Sequence, residues 1–266
     1  MALYTETSGD GPDLVLVHGW GLHGGIWDKL VPLLEPVLRV TRVDLPGHGR
    51  SAWDNQRGLD DLVQAVLSVA PETATWLGWS LGSLVAARAA LDAPQRVERL
   101  VLLAGTPCFV RRPDWSPALL PALLEDFAAD LQRDYRHTLN RFLSLQVRGS
   151  EDAAAVLREL RTRLLEHGRP VPAALLAGLD VLRHTDLRAD YPRIEQPVLL
   201  LTGARDTLVP PAAGVQAARL LGNARIVTIE GAGHAPFLAR PREVATALCA
   251  FLGAVAPSPA GAGYGG

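Results

Sequence analysis

Length, composition and charge are typical of a compact enzyme and exclude several other protein classes. The chain has 266 residues, enough for one buried core that carries an insertion, and 48% of them are hydrophobic, which suits a folded α/β protein. Its formal net charge of −2 argues against general nucleic-acid binding, and no apolar run reaches the length of a membrane span.

The first functional signal follows an apolar run at 14–17, which predicts a strand. The strand leads into the motif HGWG at 18–21, where glycines on both sides of Trp20 allow backbone N–H groups to face a cavity. The Trp20 N–H is therefore a candidate donor to an oxyanion. We expect His18 to hold this loop by hydrogen bonds, and His48, which follows the next strand, to be structural as well.

The pattern GWSLG at 78–82 is the most informative stretch of the chain. It follows a predicted buried strand over 73–77 and precedes a predicted helix over 84–90. A serine between two glycines at such a turn is the nucleophile elbow of serine hydrolases, and the turn is too sharp for side chains in place of the glycines. We predict that Ser80 is the nucleophile and that the Leu81 N–H is the second oxyanion donor.

The alternation of strands and helices stops between residues 107 and 186. Apolar residues recur there every three or four positions and predict four helices, over 117–131, 133–147, 151–167 and 172–182. We expect this insertion, after the sixth core strand, to form a lid that covers the serine and shapes an acyl pocket. The predicted units are a first core part at 1–107, the helical lid at 108–186, a second core part at 187–254 and a disordered tail at 255–266.

Two later strands end in loops that carry an acid and a base. Asp206 follows the apolar run 198–203, and His234 follows the run 225–230. Ligand sites of parallel sheets lie at the carboxyl ends of the strands, so both residues should converge on Ser80. A serine nucleophile needs a histidine base and an acid that orients it, and the sequence therefore predicts a Ser-His-Asp triad.

Five motifs in order resemble the α/β-hydrolase superfamily, from about residue 3 to residue 253. They are HGWG at 18–21, DLPGHGRS at 44–51, GWSLG at 78–82, GARDTLVP at 203–210 and GAGHAPF at 231–237. The resemblance implies an α/β fold with a mostly parallel central sheet flanked by helices. Within the superfamily the chain is most similar to the pimeloyl-[acyl-carrier protein] methyl ester esterases of biotin synthesis, through WLGWSLG at 76–82, TPCF at 106–109 and RFLSLQ at 141–146.

The closer resemblance implies functions for residues of the lid. The implied substrate-binding residues are Trp20, Ser80, Leu81, Phe142, Leu143, Ser144, Leu145, Gln146 and His234. Arg141 and Arg158 match positions where such esterases contact an acidic acyl-carrier protein, whereas His137 stands where the family more usually has arginine. Acidic residues interleave with these arginines, so a solvated helix face is the alternative. The alternative for Phe142 and Leu145 is that they only pack helix against helix.

The predicted activity is hydrolysis of a carboxylic ester through an acyl-enzyme, without metal or cofactor. The resemblance implies the methyl ester of pimeloyl-acyl-carrier protein as substrate, and we expect short acyl esters to be cleaved too. Three alternatives stay open: a general carboxylesterase, a lyase or cofactor-free haloperoxidase, and a non-enzymatic ligand receptor. Dehalogenases and many epoxide hydrolases are excluded, because they have aspartate at the position of Ser80.

The remaining signals concern compartment and partners. The two cysteines, Cys108 and Cys249, are too few and too far apart for a disulfide framework or a metal site. The first residues have no basic start and no apolar signal core, so we expect a cytoplasmic protein. We also expect a monomer whose partner is the ester substrate or its carrier protein, with no nucleic-acid or membrane partner.

Overall fold

The computed structural model describes residues 3–55, 58–164 and 166–254. The tail at 255–266, for which the composition predicts disorder, lies outside the described residues. None of the helices that the structure describes is both long enough and apolar enough to cross a membrane.

A single sheet contains the seven strands of the described residues. They are β1 (Thr5–Ser8), β2 (Asp13–Val17), β3 (Arg39–Val43), β4 (Ala74–Trp79), β5 (Val97–Leu103), β6 (Val198–Gly203) and β7 (Ala224–Ile229). Their order across the sheet is β1-β3-β2-β4-β5-β6-β7, and every neighbouring pair is parallel except β1 with β3. Central parallel strands are covered on both faces, and β4 is accordingly buried along its whole length. The predicted mostly parallel central sheet is confirmed.

Helices flank the sheet and make up the insertion. The α-helices of the described residues are α1 (Val31–Leu34), α2 (Leu59–Leu67), α3 (Leu81–Asp92), α4 (Pro121–Arg133), α5 (Tyr135–Gln146), α6 (Ala153–Leu164), α7 (Pro172–His184), α8 (Pro211–Leu220), α9 (Pro236–Ala239) and α10 (Pro241–Leu252). Helix α3 packs against β4, β5 and α2, and α8 packs against β6 and β7. These contacts fix the loops that leave the strand ends, which is where the predicted site lies.

The insertion consists of α4 to α7 and confirms the four predicted helices. It follows the fifth strand of the described residues, whereas the sequence predicted that it follows the sixth. Only five described strands precede it, because the outermost strand β1 pairs directly with β3 and has no further strand beside it. The division of the chain into units at residues 107 and 186 stays a prediction.

The start of α4 differs from the predicted start at residue 117. Pro121 occupies the first turn of the helix, where its missing N–H costs no hydrogen bond. The residues before it form two isolated bridges, Val110 with Leu119 and Arg112 with Trp115. Residues 110–119 are therefore not helical, because they form bridges separated by a turn at 113–114 and a bend at 117–118. The first positions of the predicted helix, from residue 117, fall in this segment.

Candidate active site

Ser80 lies at the sharp turn between β4 and α3. Its backbone has φ of 54° and ψ of −118°, a left-handed conformation that L-residues rarely adopt. A Cβ atom on Gly78 would overlap the carbonyl of Gly82, and one on Gly82 would overlap the carbonyl of Val17. The two glycines of the elbow are thus required by the close approach of backbone, as the sequence predicted.

The structure brings Ser80, His234 and Asp206 together in one hydrogen-bonded row. His234 Nε2 lies 2.9 Å from Ser80 Oγ, and His234 Nδ1 lies 2.7 Å from Asp206 Oδ2. All three side chains are buried. A carboxylate can only accept, so Nδ1 carries the proton and Nε2 is left to accept the hydrogen bond of the serine hydroxyl. This geometry is the one that proton transfer from a serine to a histidine requires.

Asp206 is held in place by the backbone that follows it. Its Oδ1 accepts hydrogen bonds from the N–H groups of Leu208, at 2.8 Å, and Val209, at 2.9 Å. Its two oxygens therefore have separate tasks, because Oδ1 fixes the carboxylate and Oδ2 accepts from the imidazole. A Cβ atom on Gly203 would overlap the carbonyl of Gly233, so the end of β6 and the loop after β7 approach closely beside the bond between Asp206 and His234.

The loop after β2 lies directly against the serine. A Cβ atom on Gly19 would come within 3.2 Å of Ser80 Cβ. The Leu81 N–H is at the first position of α3 and has no partner within the helix. In the described part of the chain, neither this N–H nor the Trp20 N–H donates to another protein group. Two unused donors thus flank the serine, where an oxyanion would develop.

The indole of Trp20 has a different role from its backbone. Its Nε1–H donates to the carbonyl of Leu175 on α7, 2.8 Å away. Its ring meets the ring of Phe142 edge to face, with 4.7 Å between the centroids. Trp20 therefore connects the loop beside the serine to two helices of the insertion.

His18 and His48 are structural, as expected. His18 Nδ1 donates to the carbonyl of Gly19 at 2.8 Å, and its Nε2 accepts from the Leu45 N–H at 2.9 Å. Burial, assisted by the nearby His48 ring, lowers the pKa of His18 to about 3. Burial also lowers the pKa of His48 to about 4, and its Nδ1 donates to the Pro46 carbonyl. Both rings are neutral at neutral pH and support the loops around the site.

The predicted substrate-binding segment of α5 is divided between two faces of the helix. Phe142, Leu143 and Gln146 are buried, and Leu145 is half-buried. Ser144 is exposed, and its hydroxyl donates to the carbonyl of Asn140, 2.9 Å away, within the same helix. Residues 142 and 146 share a helix face because they are four positions apart, and residue 144 points to the other side. Ser144 is thus separated from the rest of the segment.

The two arginines predicted to contact a carrier protein are both exposed on the insertion. Arg141 donates to Asp130 at 2.7 Å, and its guanidinium lies 4.9 Å from the ring centre of Phe127. Within residues 3–55, 58–164 and 166–254, Arg158 forms no ion pair. The two arginines therefore differ in their charge environment. Arg141 is partly neutralised by Asp130, whereas no described acidic side chain pairs with Arg158.

One residue that positions the site was not assigned a role from the sequence. Trp79, just before the serine, donates its indole N–H to the main-chain carbonyl of His234, 2.8 Å away. Its ring also packs edge-on against Phe237, with 5.0 Å between centroids. The only signal was the tryptophan inside the elbow motif itself, which the pattern G-x-S-x-G leaves unspecified.

Comparison with known proteins agrees with this geometry. The model of the family described as the alpha/beta hydrolase fold matches residues 12–241, which is most of the chain. The chain belongs to the α/β-hydrolase family. In the part that the structure describes, this hydrolase has no group of three or more His, Cys, Asp or Glu side chains that could hold a metal ion.

Several curated relatives of this α/β hydrolase share one name. This chain is 47% identical over 242 residues to the pimeloyl-[acyl-carrier protein] methyl ester esterase of Nitrosomonas europaea, and the match covers 91% of this chain and 96% of that one. It is 45% identical to the protein of the same name from Stenotrophomonas maltophilia, covering 97% of this chain and 100% of that one. A solved hydrolase from Pseudomonas aeruginosa is 31% identical, with a TM-score of 0.81, and covers 95% of this chain and 94% of that one.

Proposed function

We propose that the chain is a serine carboxylic ester hydrolase that cleaves the methyl ester of pimeloyl-[acyl-carrier protein] in biotin synthesis. The observation that carries the chemistry is the hydrogen-bonded row Ser80, His234 and Asp206 beside two unused backbone donors. The substrate is inferred from the shared name of relatives at 45–47% identity over nearly the whole chain. A cytoplasmic location is part of the same proposal.

In the acylation step, Ser80 Oγ attacks the ester carbonyl carbon while His234 Nε2 takes its proton. Asp206 Oδ2 stabilises the imidazolium and keeps the ring in the productive tautomer. The negative charge moves to the carbonyl oxygen, where the Trp20 and Leu81 N–H groups donate to it. When the carbon–oxygen bond breaks, methanol leaves with the proton from His234, and the acyl group stays on the serine.

In the deacylation step, a water molecule replaces methanol. His234 takes a proton from the water, and the resulting hydroxide attacks the acyl carbon. The same backbone donors stabilise the second oxyanion. The proton then returns to Ser80 Oγ as the free acid leaves, which restores the starting state. Every proton is carried by a residue of the chain, so the proposed reaction needs no added cofactor.

The insertion supplies the apolar surface for the acyl chain in this proposal. Phe142 packs against Trp20 beside the serine, and Leu143 is buried on the same helix. A chain of methylene groups gains free energy from such apolar contacts, about 0.8 kcal/mol for each buried methylene. The insertion thus acts as a lid and also excludes water from the acyl-enzyme.

Arg141 and Arg158 are proposed to attract the acidic carrier protein. Arg158 has no ion-pair partner among the described residues, whereas Arg141 is paired with Asp130. This pairing favours a second candidate, a general carboxylesterase that uses the same row of residues on small esters. A carrier protein would be needed only by the first candidate.

Complementation separates the two candidates. The test strain is a biotin-requiring bacterium that lacks its own pimeloyl-carrier esterase, transformed with this chain or with Ser80→Ala. The proposal expects growth without biotin for the parent chain and none for Ser80→Ala. If the purified protein hydrolyses p-nitrophenyl esters but does not restore growth, the general carboxylesterase is the correct function.

A further inference from the structure

The last residue of α5 and the segment that joins α5 to α6, residues 146–152, lie between the loops that carry the acid and the base. We call this segment the insertion turn. We call residues 204–210 the Asp206 loop and residues 230–235 the His234 loop. The insertion turn contacts both loops, so one part of the lid packs on the loops that carry two members of the row.

The contacts with the His234 loop are made mostly by backbone. The His234 N–H donates to the carbonyl of Gln146, the last residue of α5, at 3.0 Å. The Glu151 N–H donates to the carbonyl of Gly231, also at 3.0 Å, and the Ser150 hydroxyl lies 3.4 Å from the same oxygen. The insertion therefore holds the loop at the histidine itself and at Gly231, three residues before it.

The contacts with the Asp206 loop are made by charged side chains. Arg205, the neighbour of the acid, donates to Glu151 at 2.8 Å and lies 3.4 Å from the carbonyl of Gly149. Glu151 also accepts from Arg240 at 3.1 Å, and Arg240 forms an ion pair with Asp152. One glutamate of the lid thus bridges the arginine of the Asp206 loop and an arginine just beyond the His234 loop.

Both peptide groups of His234 are held from opposite sides of the site. Its carbonyl accepts from the indole of Trp79 on the nucleophile's strand, at 2.8 Å. Its N–H donates to Gln146 on the lid, at 3.0 Å. The position of the imidazole therefore depends on the core and on the lid together.

We infer that the insertion turn is a positioning element, which docks on the Asp206 and His234 loops and sets the distance between base and nucleophile. This inference rests on the proposed function, in which these residues are the catalytic row. It assigns the lid a second task besides covering the substrate. Loosening the turn lowers the rate of the chemical step and leaves substrate affinity almost unchanged.

The contacts of the insertion turn differ in strength, and the stronger ones are the better targets for substitution. The side chains of Arg205 and Glu151 are each about half exposed, so their ion pair contributes little by itself. The backbone hydrogen bonds between the turn and the His234 loop are better shielded and contribute more. Gly233 is at this contact, because a Cβ atom there would come within 3.0 Å of the Gln146 oxygen and 3.4 Å of Ser150 Cβ.

The main variant is Gly233→Ala, which inserts a methyl group between the turn and the loop. The φ of Gly233 is not in the left-handed region, so alanine brings only the steric effect. Gly222→Ala is the matched control, because a Cβ atom there meets nothing within 4 Å. The measurements are kcat and KM for a p-nitrophenyl ester, the pH profile of kcat, and the downfield proton resonance of the His234 to Asp206 hydrogen bond.

We expect Gly233→Ala to lower kcat about tenfold or more with KM within about twofold, since small misplacements of a catalytic group are costly. The acid limb of the pH profile and the downfield resonance should shift, which a purely structural role would not cause. Gly222→Ala should match the parent in all three measurements. A folded Gly233→Ala protein with unchanged kcat and pH profile overturns the inference.

Glu151→Ala provides an independent test that does not depend on whether Gly233→Ala folds. We expect it to lower kcat about threefold, in line with the modest strength of exposed ion pairs, with Glu151→Gln closer to the parent. Glu125→Gln, which disturbs the Glu125 to Arg183 pair elsewhere on the lid, is the control. Equal kcat values in Glu151→Ala and Glu125→Gln contradict the inference. Full activity of Ser80→Ala would instead contradict the proposed function, so the two failures are distinct.

Discussion

The indole N–H of Trp79 donates a hydrogen bond to the main-chain carbonyl of His234, although the two residues are 155 positions apart. Trp79 ends β4 and directly precedes Ser80, so the strand that presents the nucleophile also holds the base. Phe237 packs against the indole ring and fixes its plane. The position of His234 is thus set by more than its bonds to the serine and the acid.

Trp79→Phe should therefore impair the chemical step. The phenyl ring can still pack against Phe237, but the substitution removes the hydrogen bond to His234 together with part of the buried ring volume. We expect kcat to fall about tenfold with KM within about twofold, as measured by steady-state hydrolysis of a p-nitrophenyl ester. Trp76→Phe is the matched control, because the Trp76 indole is buried on the same strand and its N–H has no partner among the described residues. Equal losses in both variants would show that only ring volume matters.

The acid should be identifiable by comparing two aspartates. In Asp206→Asn the amide oxygen keeps the hydrogen bonds from the Leu208 and Val209 N–H groups, so the NH2 group faces His234 Nδ1. An NH2 group donates and cannot accept from Nδ1–H, which favours the wrong histidine tautomer. We expect kcat to fall about a thousandfold or more, from the size of such effects in serine hydrolases. Asp186→Asn should stay within about threefold of the parent, because Asp186 is exposed and paired with Arg188. Comparable losses for the two would assign the acid elsewhere.

Stability should depend on pH through the buried histidines. Burial lowers the pKa of His48 to about 4 in the folded protein, from an ordinary value of 6.5. Between these values the unfolded chain binds a proton that the folded chain does not. The stabilising effect is therefore complete above pH 6.5 and is lost as pH falls towards 4, with a slope of up to about 1.4 kcal/mol per pH unit for one histidine.

His48→Asn should flatten this dependence. The asparagine amide replaces the donor that contacts the Pro46 carbonyl, and it does not titrate. The substitution should also raise the pKa of His18, since the His48 ring is one cause of its low value. Urea unfolding at a series of pH values gives the free energy of unfolding. Identical slopes for parent and variant between pH 4.5 and about 6.5 would mean that His48 does not contribute to acid stability.

Local patterns were sufficient for much of the fold and for the row of functional residues. The apolar runs that form β2, β4 and β6 predict strands, because central strands are buried on both faces. The run that forms β7 is an edge strand and is mostly not buried. The glycines around Ser80 predict the elbow, since only a sharp turn needs them. The loop positions of Asp206 and His234 follow from the rule that sites lie at the carboxyl ends of parallel strands.

Features that depend on contacts between distant segments cannot be predicted from these local patterns. The start of α4 was misplaced because Pro117 and Pro121 both suit a helix start, and only the bridge of Val110 with Leu119 decides between them. The bond of Trp79 to His234 and the docking of the insertion turn have no local signature. These contacts form between segments that are far apart in the sequence, and residue spacing does not predict which segments come into contact.

The last prediction concerns recognition of the carrier protein. Replacing both Arg141 and Arg158 by glutamate puts negative charge on an exposed face of the lid. The double substitution changes neither the row Ser80, His234 and Asp206 nor the two backbone donors. We expect kcat/KM for a carrier-bound pimeloyl methyl ester to fall about tenfold or more, because an acidic partner is now repelled. Hydrolysis of a p-nitrophenyl ester should stay almost unchanged. The selective loss should shrink as salt is raised, since ions screen attraction over distances of about 10 Å at 0.1 M.

Single variants refine this prediction, because the two arginines have different partners. Arg141 is paired with Asp130 at 2.7 Å and lies over Phe127, so Arg141→Glu also removes packing within the lid. In the part of the chain that the structure describes, Arg158 has neither an ion pair nor an aromatic ring beneath it, so Arg158→Glu should report the carrier contact alone. A fall for both substrates in the double variant would mean that the lid has been destabilised. No fall for either substrate would leave the arginines as a solvated helix face, and the general carboxylesterase would then be the better assignment.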